Sequence, residues 1–153
     1  MKKVILIAGV VVVVIAGIWF YNFSHQRFVA PKPSPVVTLG GKLFSVEIAD
    51  TPATQERGLS GHAPLSDGQG MLFVFDKSDN YGFWMKDMTF PIDIVWLNSD
   101  MKIAHIEKSV FPETYPKVFY PNALTQYVLE ISAGQSDILH LKTGDSVFRM
   151  KGA

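Results

Sequence analysis

The stretch GFWMKDMTFPIDIVWLN, Gly82–Asn98, sets large apolar and aromatic side chains around Lys86, Asp87 and Asp93. Such a run belongs in a core, where a charge needs a partner. Alternation of side chains suggests two strands, Gly82–Asp87 and Ile92–Leu97, joined by Met88–Pro91. A four-residue hairpin loop then sets Lys86 opposite Asp93. A facing pair of opposite charge is worth about 0.2–1 kcal/mol, and deleting one partner of a buried pair costs roughly 3–5 kcal/mol. The expected arrangement is therefore a Lys86–Asp93 cross-strand pair, with Arg57 joining its network.

Working outward, LFSVEIAD (Leu43–Asp50), MLFVF (Met71–Phe75), MKIAHIEK (Met101–Lys108), YVLEI (Tyr127–Ile131) and SVFRM (Ser146–Met150) read as further strands. Thr51 and Pro52 have the chemistry of an N-cap and first helical residue, and Gly58 that of a stop. Ser132 and Gln135 have capping-box spacing before a second short helix, with Gly144 after it. No internal repeat appears. The fold expected is α+β and mainly β: a compact antiparallel domain, barrel-like or a sandwich, with two short helices.

Ahead of this domain, Val4–Gln26 contains no Lys, Arg, Asp or Glu. Val4–Phe23 has the roughly 20 apolar residues that a bilayer core demands, with Trp19 and Tyr21 as interfacial aromatics. Residues 1–24 read as a membrane anchor or uncleaved signal, because FVA before Pro31 puts Phe28 where cleavage wants a small residue. Residues 25–37 form a proline-rich linker, and 38–153 the globular domain. Lys2 and Lys3 favour a cytoplasmic N-terminus, which places a single-pass protein in the inner membrane with its domain on the periplasmic side. All 14 acidic residues lie beyond residue 35, with 10 of the 14 basic ones, for a net charge of −4 there. An anionic domain is a poor partner for nucleic acid. No cysteine is present, which excludes disulfides and a lipidated Cys.

The run TPATQERGLSGHAPLSDGQGMLFVFDKSDNYGFWMKDMTFPIDIVWLNSDMKIAHIEKSV, with YVLEISAGQSDILHLKTGDSV, closely resembles the DUF192 family of bacterial and archaeal domains. The likeness runs from about Leu43 to Val147 and rests on Arg57-Gly58-Leu59, GMLFVF, FWMK, PIDI and VLE. It implies a small β-rich fold, usually extracytoplasmic, with family polar positions at Arg57, Lys86, Thr89, Asp93 and Glu130. It delivers no function. The chain departs from the family at Asp87, where Asn is common. It also lacks a cysteine pair that many members carry in the loop Ser109–Gln126.

His25, His62, His105 and His140 show no metal-ligand spacing, and no nucleophile elbow or phosphate loop occurs. No catalytic residue, metal or cofactor is assigned. Binding has more support than catalysis. In the loop VFPETYPKVFYPN, Phe111, Tyr115 and Tyr120 stand among three prolines as stiff platforms, with Glu113 and Lys117 as polar contacts. The reading is a membrane-anchored binding or accessory module for an envelope glycan or peptide. The alternatives are a hydrolase-type site around Lys86, Asp87, Asp93 and Arg57, or an interaction module of an envelope complex.

Overall fold

The computed structural model describes residues 17–21 and 34–150. The chain divides into two units, Met1–Lys32 and Pro33–Ala153. Of the first, residues 17–21 are helical. Among the described residues no helix is long and apolar enough to cross a membrane, and most of the expected anchor Val4–Phe23 lies outside them.

The second unit is one seven-stranded sheet built from β1 (Val36–Leu39), β2 (Lys42–Ala49), β3 (Gln69–Asp79), β4 (Ile92–Leu97), β5 (Ile103–Val110), β6 (Thr125–Ser132) and β7 (Phe148–Met150), in the order β5-β4-β6-β3-β2-β1-β7. Two short α-helices, α1 (Pro52–Arg57) and α2 (Gln135–Ile138), and a 3-10 turn at Pro112–Thr114 complete it. The fold is mainly β, as expected, but the sheet is not purely antiparallel. β2 and β3 run parallel, because α1 and the loop after it carry the chain back to the same end. Nor does the sheet close into a barrel: β5 pairs along its length with β4 and β7 with β1, and among the described residues the two sides meet at an isolated bridge, Lys102–Ser146, with Gly144 N–H donating to Ile103 O beside it at 2.8 Å.

Helix α1 starts and stops where its residues predict. Thr51 accepts from Thr54 N–H and the Thr54 side chain accepts from Thr51 N–H, with Gly58 as C-cap. The second expected cap is wrong. Gly134, not Ser132, is the N-cap of α2 and has no side chain to offer. Ser132 instead donates to Leu65 O at 3.3 Å, and Gln135 accepts from Lys42 at 2.9 Å.

β4 is buried at all six positions and flanked by β5 and β6. Its side chains alternate between two cores: Ile92, Ile94 and Trp96 into one, Val95 and Leu97 into the other. This corrects the expected hairpin. With both edges of β4 taken, Gly82–Asp87 has no strand to pair with there, and Phe83 exchanges backbone hydrogen bonds of 2.9 and 2.8 Å with Phe119 instead. Lys86 and Asp87 form an exposed turn, Asp87 at φ 56°, held by Ser60 Oγ on Lys86 O (2.8 Å) and Gly61 N–H on Asp87 O (3.0 Å). Among the described residues no ion pair contains Lys86, Asp93 or Arg57.

Candidate functional site

Glu130 and Asp93 lie on neighbouring central strands and on opposite faces of the sheet. Glu130 stands opposite Met71 on β3 and Ile94 on β4, whereas Asp93 stands opposite Ile131. Facing partners share a side, so the two carboxyls project away from each other.

On the Glu130 side, the sheet is covered by α1 and the segment from Tyr81 to Met88, which leave a pocket of about 190 Å³. Five aromatic residues line it, Phe73, Phe75, Tyr81, Phe83 and Trp84. Phe75 stacks on Tyr81 with ring centroids 3.5 Å apart, and Phe83 meets Phe73 edge-on at 4.8 Å. Trp96, beneath, donates its indole N–H to Tyr81 O at 2.9 Å and meets Phe83 edge-on, which holds that wall to the core. Glu56 and Arg57, both exposed, stand where α1 borders the pocket.

Glu130 lines this pocket yet is only 4% exposed, and its deeply buried Oε2 has no protein hydrogen-bond partner. Burial alone pushes its carboxyl from the ordinary 4.5 to about 8, since a charge in that apolar setting has lost its water. With no partner to offset that burial, Glu130 is mostly a neutral acid at pH 7.

Asp93 has the contrary environment. It is fully buried, but Oδ1 accepts from Ser109 N–H (2.8 Å) and Gly134 N–H (3.1 Å), and Oδ2 from Ser136 N–H (2.7 Å). A carboxylate so enclosed by backbone donors joins chain segments and has no open side for a reactant.

The family follows from the sequence as a whole. A model of the DUF192 family, described as "Uncharacterized ACR", matches residues 35–148. The chain belongs to the DUF192 family. Among solved structures it is similar to a protein of unknown function from Novosphingobium aromaticivorans DSM 12444 (32% identity, TM-score 0.69, covering 74% of this chain and 83% of that one). It is also similar to a protein from Sinorhizobium meliloti 1021 proposed to be a transcription regulator (28% identity, TM-score 0.68, covering 75% and 90%). No curated protein matches it.

The DUF192 polar positions do not converge on one centre. Arg57 and Glu130 line the pocket; Asp93 is enclosed on the other face; Lys86, Asp87 and Thr89 are exposed on the turn between. The hydrolase-type grouping of Lys86, Asp87, Asp93 and Arg57 is thus not assembled, because the sheet separates Asp93 from the pocket. In the long loop, Phe111, Tyr115 and Tyr120 are exposed, as are Glu113 and Lys117, while Phe119 turns inward as core. Tyr120 lies over Gly82, where an added Cβ would come within 2.5 Å of its ring, so this loop adjoins the pocket wall. The aromatic walls were missed from sequence. The signal for them was weak, since Phe73, Phe75, Tyr81 and Phe83 come from a strand and loop whose apolar residues equally suit a core.

Proposed function

We propose that this DUF192 domain is a binding module of the cell envelope and that the Glu130 pocket is its ligand site. One observation carries the reading: a buried carboxyl oxygen without a partner, at an aromatic-walled cavity. Buried polar groups are almost always paired, so a carboxyl with no protein partner, on a residue that lines a cavity, is best explained by a ligand that completes it. Catalysis has less support. The lining contains no histidine or cysteine, and its serine, Ser60, already donates its hydroxyl to Lys86 O. The exposed rings of Tyr115 and Tyr120 then serve as an outer platform for a longer glycan or peptide ligand, with Glu113 and Lys117 beside them. In this proposal Val4–Phe23 holds the domain to the inner membrane, on its periplasmic side. The regulator role proposed for the Sinorhizobium meliloti protein is disfavoured here by the domain's net negative charge.

The test is a thermal-shift screen of the full-length protein in detergent against glycan fragments, short peptides and small amines. A ligand whose stabilisation is lost in Met88→Trp, which fills the pocket, supports the proposal. A screen in which every shift survives that substitution, or in which nothing binds, overturns it. For the anchor, mass spectrometry of membrane-extracted protein is expected to find Val4–Phe23 present; only a soluble form beginning near Pro31 refutes it.

A further inference from the structure

The lining narrows the ligand class. Five aromatic residues line the cavity, and the negative face of an aromatic ring attracts a cation. The neutral polar side chains are largely committed: Gln55 donates to Val74 O at 2.8 Å and Ser60 to Lys86 O at 2.8 Å. A sugar's hydroxyls would find few partners there. A purely apolar ligand would fill the walls and leave the Glu130 carboxyl still unpaired, at the cost of a buried unsatisfied polar group. An anion would meet the carboxyl and the aromatic lining, with only the exposed Arg57 at the border to attract it and Glu56 beside that to repel it. A cation uses the rings and the carboxylate together.

We propose that the Glu130 pocket takes an organic ammonium group, held between the aromatic walls and the Glu130 carboxylate. This rests on the pocket being a ligand site. The groups around Glu130 suit the exchange. β3 contributes Met71 and Phe73, and β4 contributes Ile94, none of them charged. The charged or titratable lining groups are Glu56 and Arg57 of α1 and Tyr81. Tyr81 is neutral near pH 7, its phenol raised by burial, and donates its hydroxyl to Lys77 O at 2.8 Å. Burial alone sets the Glu130 shift, with no contribution from Arg57 or any other cation, so an arriving ammonium supplies the missing positive charge. The carboxyl then releases its proton to solvent.

Choline and 3,3-dimethylbutan-1-ol, its uncharged carbon isostere, separate charge from shape. Titration calorimetry on the full-length protein is expected to show choline binding at least tenfold tighter. Since choline has no proton to lose in this range, binding at pH 6.5 in buffers of different ionisation enthalpy should release close to one proton. Its affinity should rise about tenfold per pH unit up to about pH 8, as Glu130 loses its proton. Glu130→Gln should remove the preference and the proton release. Trp84→Ala, at a residue 47% exposed, should weaken choline without lowering the melting temperature. Equal binding of the two probes, or choline binding without proton release, overturns the ammonium assignment. So does failure of choline and n-butylammonium to bind. If a neutral compound then proves sensitive to Met88→Trp, the pocket reading survives and only the ligand class is wrong.

Discussion

Asp93 Oδ2 accepts the backbone N–H of Ser136 at 2.7 Å, so a side chain from β4 caps helix α2. Gly134 at the N-cap offers no side chain, and a helix start leaves N–H groups needing acceptors. Asp93 satisfies one there, one in the preceding turn and one at Ser109. Asp93→Ala orphans all three donors. With about 1–3 kcal/mol for each buried group left unpaired, the expected loss is at least about 3 kcal/mol, read by chemical denaturation. Asp93→Asn, which keeps one acceptor oxygen, should lose less. A change below about 1 kcal/mol in Asp93→Ala would refute the capping role.

Lys86 is exposed and makes no ion pair with Asp93, so the two should be energetically independent. Lys86→Met alone is expected to shift stability by no more than about 0.5 kcal/mol. In a double-mutant cycle with Asp93→Asn, the coupling should lie within about 0.5 kcal/mol of zero. A larger coupling would return Lys86 to the Asp93 network.

Local chemistry was legible where it acts locally. Thr51, Pro52 and Gly58 bound α1 through contacts within a few residues, and the uninterrupted apolar run of β4 follows from its burial on both faces. The partner of β4 was not legible. Alternation shows which residues share a face, but not which strand occupies an edge, and β5 and β6 outcompete the nearer Gly82–Asp87 segment. Asp93 therefore acquired three backbone donors from Ser109, Gly134 and Ser136, distant in sequence and invisible to a pattern search. Arg57 and Glu130 were both marked by the family resemblance. That they line one pocket depends on the β2-α1-β3 crossover, which laid α1 over the face that Glu130 occupies.

Gly70 sets how close β3 comes to β6. A Cβ there would lie 2.7 Å from Glu130 O and 3.2 Å from the Ile131 side chain, and the nearer contact is backbone in the middle of the sheet. Gly70→Ala must therefore push the strands apart, with an expected cost of about 1–3 kcal/mol. Because the displaced residue is Glu130, the same substitution should also alter any ligand binding in the pocket. An unchanged melting temperature would contradict the close approach.

Glu130 gives the domain a pH dependence of determined sign. Its carboxyl sits at about 8 in the fold against an ordinary 4.5, so between those values the native state holds a proton that the unfolded chain has released. Stability falls with rising pH wherever the folded state binds more protons. The contribution is thus intact below about pH 4.5, declines through the window, and is lost as pH rises through about 8. Glu130→Gln removes the titration while keeping the shape of the neutral acid. Melting temperatures of the two proteins between pH 5 and about pH 9 should diverge steadily, the variant becoming the more stable at the alkaline end. Choline should reverse the trend for the wild type alone, since an ammonium in the pocket favours the ionised carboxylate. Parallel melting curves across the whole range would show that Glu130 is already ionised or solvated, and the account of an unpartnered neutral acid at the pocket would fall with them.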